Sequence, residues 1–530
     1  MIIRQASSAD TPQWLELLEA CIGEDYGDAA AYDPDRISGC LDHETGDETW
    51  VVESEGRIVA SFSILNWFAA ESRHILNLGR QLTPPESFQD GAAVLLVKKI
   101  NELQEQRGGS IITRVLSSDL PSQLLCENLG YQCVGFQPYK HLHKVREGVL
   151  FFLKPSYSEI GNPLSLFQSL TGVTDLALSV LNRIHSGIPE VIRDDSSGYP
   201  LNYQGLKFEK SDREQLELLK KENPDPSQII EISGEFPRGL GYLRMLSKDT
   251  PVQTYIGRIN GKATTGVDLY YDTVDRCLRI VDAYSVNDWC IGALFAWVLE
   301  TIEKELNPVF IEIDVLINAP RMLKCLENLG FLPVAYFPGF YRRSVESLVD
   351  VVKLVKLNLV YSLEHTSLSS HSEEMVSRIH SGFQNQNRSE SYLELLRNQP
   401  SFAGLHEGEL RKLAGCFKQK LYHPGNKVFK AGDPGDMVYI VMRGQVEIRR
   451  SESESAIMTV EAGGKYGELA FLEDQVHSVS AIANQACILL ELHREDYQHL
   501  VFQNPQIGLT VLRNVARAIS KGLKKHTGIV

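Results

Sequence analysis

The chain has 530 residues, 43% hydrophobic and 23% charged, with 53 Lys+Arg against 68 Asp+Glu and a formal net charge of −15. At roughly 150 residues per domain this is a globular chain of three or four domains, and its acidity argues against general binding to phosphate backbones. No apolar run approaches the roughly 18–20 residues of a membrane helix. The start, MIIRQASSAD, carries no secretory h-region, and the nine Cys include no CxxC, so buried thiols in a reducing cytoplasm are expected.

In chain order, MIIRQA reads as a short strand and SSAD as a helix start with Ser or Asp available as N-cap. Trp14, Leu15, Leu17, Leu18 and Cys21 then recur at helical spacing. TWVVESEGRIVASFSIL reads as two strands joined by a turn at Ser54–Arg57. Strand, loop, helix, strand, helix and a closing pair of strands follow, ending in the apolar GVLFFLKP. Residues 156–203 read as a linker with one helix, PLSLFQSLTGVTDLALSVLNRI. The same order of elements then restarts. TYIGRINGKATTGVDLYY is the second hairpin, with an Asn260-Gly261 turn of type I′ character. The second apolar end is LVDVVKLVKLNLVY, and the Ser-, Asn- and Glu-rich 361–390 reads as a linker with one short helix.

The restart is an internal repeat. LCENLGYQCVGFQPY returns as CLENLGFLPVAYFPGF, which sets Gly130 and Gly330 200 residues apart. Leu15 and Leu216 are 201 apart, and RIHSG recurs at an offset of 195. Two copies therefore occupy 1–155 and 204–360, and 391–530 matches neither.

The junction of a helix, Leu-Gly-aromatic and a strand, CENLGYQCVGF and LENLGFLPVAYF, resembles the GNAT N-acetyltransferase fold. The expected class is therefore α/β (α+β), with two GNAT-like mixed domains. The resemblance implies acetyl-CoA or another acyl-CoA bound at the loop before the third helix, where small residues admit backbone N–H groups to a pyrophosphate. The family pattern there is [QR]-x-x-G-x-[GA]. In copy one the loop Ser87–Ala93 puts Phe88 at the polar position and Gly91 and Ala93 at the small ones, with Ala92 between. In copy two Trp289 takes the polar position, Gly292 is kept, and Leu294 replaces the second small residue. The tyrosine that in many of these enzymes protonates the leaving thiolate falls on Cys126 and on Leu326. The base for the substrate amine is expected at Asp282 in copy two, with Glu86 the nearest acid in copy one. A protein lysine or a small amine would be the acyl acceptor. Tandem GNAT enzymes with one degenerate copy are a known pattern.

In HPGNKVFKAGDPGDMVYIVMRGQVEI, glycines 425, 432, 435 and 444 punctuate short β-branched and aromatic runs, the turn chemistry of a small β-barrel. Gly425, Val428, Gly432, Asp433, Tyr439, Ile440, Val441 and Gly444 fit the pattern of the cyclic nucleotide-binding domain. The 391–530 region therefore resembles that jelly-roll domain with flanking helices. The resemblance implies cAMP or cGMP at a phosphate cassette, YGELAFLEDQVHSVSA. Gly467, Glu468, Leu469 and Ala470 match it, and Glu468 would take the ribose 2′-OH. The phosphate-pairing Arg falls on His477 and the preceding Pro on Val476, while Ser478 keeps one donor. Losing a charge-assisted hydrogen bond costs about 1.5–3 kcal/mol, so the site is weakened.

No recognition helix follows the last helical pattern, so DNA binding is not expected, and a membrane is not expected either. The two His of HLH at 141–143 have no third ligand in view, so no metal is expected. A homo-oligomer is allowed. The function read from the sequence is an acyl-CoA-dependent N-acyltransferase regulated by a cyclic nucleotide-binding-like domain. The alternative is a non-catalytic scaffold or regulatory protein with degenerate copies of both families.

Overall fold

The structure, a computed structural model, describes all residues except 24–31, 44–45, 66–74, 85–90, 143–145, 157–165, 169–170, 185–189, 194–197, 224–251, 345–346, 360, 362, 364–365, 451–454 and 528–530. The chain divides into two compact units, Met1–Gly382 and Phe383–Val530.

The first unit holds both copies of the repeat. Copy one contributes β1 (Ile2–Gln5), β2 (Glu48–Ser54), β3 (Arg57–Leu65), β4 (Ile75–Leu82), β5 (Ser110–Leu116), β6 (Gln132–Leu142) and β7 (Arg146–Lys154). A short parallel pair, β8 (Leu166–Gln168) and β9 (Val191–Arg193), lies between the copies. Copy two contributes β10 (Lys207–Ser211), β11 (Gln253–Ile259), β12 (Lys262–Asp272), β13 (Cys277–Ser285), β14 (Phe310–Leu316), β15 (Leu332–Ser344) and β16 (Ser347–Leu357). In each copy the fourth and fifth strands run parallel and the other neighbours antiparallel.

The two copies were expected as separate domains, 1–155 and 204–360; instead they share one 14-stranded sheet, β1-β2-β3-β4-β5-β7-β6-β15-β16-β14-β13-β12-β11-β10. The second half of that order mirrors the first. The seam is an antiparallel pairing of β6 with β15 at Gly135 and Ala335, equivalent positions 200 residues apart. A Cβ on Gly135 would fall 2.2 Å from the Cβ of Ala335, so only glycine admits this approach.

Local chemistry explains the elements. Both residues of the Asn260-Gly261 turn have positive φ, 50° and 82°, the geometry that matches the twist of β11 and β12. After the helices Leu120–Asn128 and Pro320–Asn328 the same cap appears twice. The N–H of Tyr131 donates to the Cys126 carbonyl and that of Phe331 to the Leu326 carbonyl, each at 3.0 Å. Both aromatic rings are buried, so the Leu-Gly-aromatic junction is a helix C-cap that delivers a core residue.

The polar stretch 361–390 was expected as a linker with one short helix; it lies largely within a 28-residue helix, Ser370–Arg397. Met375, Val376, Ile379 and Phe383 are buried at helical spacing, and this apolar stripe outweighs the polar composition. In the expected helix between the copies, Leu166–Gln168 is strand and only Thr171–Arg183 is helix.

The second unit carries two antiparallel four-stranded sheets. One orders β17 (Phe417–Tyr422), β24 (Cys487–His493), β19 (Met437–Arg443) and β22 (Lys465–Tyr466). The other orders β18 (Lys427–Phe429), β23 (Ser480–Ala483), β20 (Gln445–Arg449) and β21 (Met458–Glu461). The interior is aromatic and β-branched, with Tyr422, Phe429, Tyr439, Val446, Val460 and Tyr466 in one cluster. A second cluster packs Leu396, Phe402, Leu413, Leu500 and Ile507 of the flanking helices against Ile440 and Leu490.

Candidate functional site

The cassette begins where β22 ends. Gly467 takes φ 86°, and a Cβ there would meet the Met437 carbonyl at 3.0 Å. The short helix Glu468–Glu473 follows and closes on Asp474 in the left-handed region. Its first turn leaves N–H groups without intrahelical acceptors. Glu468 and Ala470 are half-buried, Leu469 is 65% exposed, and Ser478 is exposed.

Backbone bonds lace the cassette to the loop before β19. Gly435 N–H donates to the Gln475 carbonyl at 3.1 Å, Gly432 N–H to the His477 carbonyl at 2.8 Å, and His477 N–H to the Asp433 carbonyl at 2.9 Å. A Cβ on Gly435 would lie 2.4 Å from that of Ala470, which explains glycine at this position. Arg494 clamps the same junction. One guanidinium nitrogen donates to the carbonyls of Gly435 (2.7 Å) and Ala470 (3.4 Å), the other lies 3.4 Å from Asp474, and the plane covers Phe471. Lys465 donates to the Ser401 hydroxyl at 2.7 Å.

His477 departs from the position expected of a phosphate partner. Its ring is 3% exposed and lies flat on Phe429, centroids 3.6 Å apart and planes 9° apart. Its Nε2 has no hydrogen-bond partner, nor does the buried hydroxyl of Tyr466 in the same aromatic cluster. Burial pushes the imidazole below its ordinary pKa, opposed by Asp433 and Asp436. The ring is therefore a neutral member of the barrel core with one unused nitrogen turned away from water.

In the first unit, Gly91 caps the helix Ala92–Arg107 at φ 82°, and a Cβ there would meet no atom within 4 Å. Ala92 and Ala93 are buried. Glu86, Ser87 and Phe88 lie outside the described residues. A cavity of about 610 Å³ opens beside Pro84 and Ala92, walled by Gln13 and Glu16 of the helix Thr11–Ile22 and by the hairpin turn at Gly56–Arg57.

Copy two differs at the matching place. A Cβ on Gly292 would fall 2.2 Å from the Pro200 carbonyl oxygen, so the chain's own segment Tyr199–Pro200 covers the start of the helix Asp288–Trp297. Arg321 holds that cover by lying over the Tyr199 ring while pairing with Asp288. The expectation that Gly292 lines a cofactor loop is corrected: its open side is filled by polypeptide.

Cys126 is buried in the core, and burial pushes its thiol up to about 12, so it stays protonated without reaching solvent. Leu326 is buried at the equivalent position. Asp282 forms an ion pair with Lys220, beside Asp268, whose own carboxyl is raised by burial and by Asp282 while Thr254 donates to it at 2.6 Å. Cys126 and Asp282 belong to different copies and do not share a site. The HLH side chains lie outside the described residues, and among the described residues no group of three His, Cys, Asp or Glu could hold a metal ion. Among them, too, no helix is long and apolar enough to cross a membrane.

Residues 419–504 match the family described as "Cyclic nucleotide-binding domain". This stretch is a cyclic nucleotide-binding domain. It is similar to the cyclic AMP receptor protein of Thermus thermophilus, 30% identical over 133 residues, which are 24% of this chain and 60% of that protein. The human cGMP-dependent protein kinase 2 is 28% identical over 123 residues, 22% of this chain and 16% of the kinase. The cAMP-dependent protein kinase regulatory subunit of Aspergillus niger is 27% identical over 121 residues, 23% of this chain and 29% of that subunit. The chain thus spans less than two thirds of each of these relatives. Among solved structures, the Thermus thermophilus catabolite activator protein matches at 30% identity and a TM-score of 0.22, over 24% of this chain and 60% of that one.

Phe429, Tyr466 and Arg494 are the site residues the sequence did not announce. Arg494 stands directly after the last barrel strand, outside the cassette motif, and only the fold brings it to Ala470.

Proposed function

We propose that this chain is a regulatory protein whose C-terminal domain senses a purine cyclic nucleotide, with an N-terminal tandem GNAT-type unit as the part it governs. The observation that carries the sensor half is the laced cassette, with Gly467 and Glu468 in place, inside a domain whose relatives are cyclic-nucleotide receptors and kinases by name. The stacked His477 makes cAMP a weak ligand, because binding must recruit a neutral, buried ring where the family has a cation. cGMP is the second cyclic nucleotide to test.

The acyltransferase reading rests on the strand order of each copy, with its single parallel fourth and fifth pair, and on the open Gly91. Under it, acyl-CoA binds copy one alone, since Pro200 fills the equivalent place in copy two. The acceptor is a protein lysine or a small amine. A non-catalytic regulatory or scaffold protein is the second reading, favoured by the covered Gly292 and the core placement of Cys126 and Leu326. Calorimetry with acetyl-CoA and longer acyl-CoAs separates the two. Binding that Gly91→Glu abolishes supports the enzyme; absence of binding by every acyl-CoA leaves the scaffold.

Leu509, Leu512 and Ile519 are exposed on the helix Pro505–Thr527 at heptad-like spacing, which favours a homo-oligomer through that face. Light scattering checks it: Leu512→Glu is expected to yield monomers, and an unchanged monomeric mass in the wild type would overturn it.

A further inference from the structure

The sheet's approximate two-fold brings unlike residues of the two copies around one internal cavity of about 30 Å³. Asn77 pairs with Ile112 across β4 and β5 where Arg279 pairs with Glu312 across β13 and β14. Arg114 faces Phe151 on β7 where Asp314 faces Lys353 on β16. Lys140 stands 200 residues before Phe340. Divergence at these equivalent positions has collected charge at the centre of the unit.

The charged side chains do not balance. Lys140 lies 2.5 Å from Glu312, Arg279 2.5 Å from Asp314, and Lys353 2.8 Å from Asp314 and 3.9 Å from Glu312. Arg114 joins them on the cavity wall. Four cations therefore face two carboxylates. Burial works against an ionised Glu312, yet Lys140, Lys353 and Arg279 hold its carboxyl well below the usual range. Burial pushes Lys353 below its usual value, and burial with Arg279 pushes Arg114 down to about 10, the direction of a site short of negative charge. Uncompensated charge away from water is costly, so such a surplus calls for a counter-ion.

A second observation points the same way. Asn77 is 1% exposed, lines the cavity, and has no hydrogen-bond partner for either its amide nitrogen or its amide oxygen. An unpaired buried amide marks a missing polar partner. Arg114 is half-buried and supplies a route to solvent. A cavity this small has room for only a few heavy atoms, since about 10–15 Å³ on this measure holds one water.

We propose that the cavity between the two copies binds a small planar oxyanion of the carboxylate or carbonate type, held by the Asn77 amide and the Arg114 guanidinium over the Lys140, Arg279 and Lys353 cations. The anion is a structural ligand of the seam and is independent of any acyl-CoA or cyclic nucleotide.

The test is the thermal unfolding of the full chain in sodium formate against sodium gluconate at fixed ionic strength. Formate at about a hundred times its Kd is expected to raise Tm of the first unit by about 3 °C over gluconate, and sodium chloride to raise it less. Arg114→Gln is expected to remove the difference. Asn77→Asp, which supplies a carboxylate from the chain itself, is expected to fold, to match or exceed the wild-type Tm in gluconate, and to ignore formate. Equal stabilisation by chloride and formate would overturn the oxyanion assignment. Absence of any formate effect in the wild type, an undiminished effect in Arg114→Gln, or an unfolded Asn77→Asp protein would overturn the site.

Discussion

The ring of His477 lies parallel to that of Phe429 at 3.6 Å, inside the barrel that carries the cyclic-nucleotide cassette. This contact converts the position of a phosphate-binding cation into part of a hydrophobic core. It also links the stability of the domain to pH. The folded ring has a lowered pKa, so it resists the proton that the unfolded ring accepts near its reference value of about 6.5. Its contribution is complete above that value and is lost as pH falls through the folded pKa. Urea unfolding of the C-terminal domain is therefore expected to show lower stability at pH 5.5 than at 7.5. His477→Phe, which keeps the stack and removes the titration, is expected to flatten that difference.

Gly292 and Gly91 occupy matching places in the repeat with opposite surroundings. Gly292→Ala drives a methyl into the Pro200 carbonyl and is expected to lower stability by about 1–3 kcal/mol, measured by calorimetry. At Gly91 the space is open and only the positive φ opposes a side chain, so Gly91→Ala is expected to cost about 1 kcal/mol. Equal losses would contradict the cover over copy two.

At the seam, Gly135→Val puts a branched side chain where Ala335 already stands. The expected result is a loss of at least about 3 kcal/mol in the first unit, with the second unit's unfolding transition unchanged. Scanning calorimetry resolves the two transitions.

Arg494 reaches the cassette through two carbonyls, of Gly435 and Ala470. Arg494→Ala is expected to weaken cyclic-nucleotide binding by about ten-fold, the value of one to two charged hydrogen bonds, by loosening the junction that positions residues 467–470. An unchanged Kd would show that the clamp is not coupled to the cassette.

Local rules carried the fold a long way. The Asn-Gly turn, the Leu-Gly-aromatic caps and the barrel glycines are written in short-range chemistry, and each appears where its residues stand. What escaped was set by contacts distant in sequence. Nothing around Gly135 announces that its partner is Ala335, and the mirrored sheet order depends on that one approach. The long helix Ser370–Arg397 hid behind a polar composition because only four apolar side chains define its buried stripe. At the site, the motif gave Gly467, Glu468 and the missing arginine. It gave no sign that His477 would turn inward, since Phe429 lies 48 residues earlier on another strand.

The most direct test is a calorimetric titration of cAMP into the full chain and its His477→Arg variant at pH 7.5 and pH 6. In the wild type, weak binding is expected to tighten at pH 6, because a bound phosphate favours the charged ring that burial disfavours in the free protein. In the variant, binding is expected to be about ten-fold tighter or more and indifferent to pH, since a permanent cation then meets the phosphate. Heat of binding in neither protein at either pH would mean that the aromatic core has closed the pocket, and would contradict the assignment of this domain as a sensor.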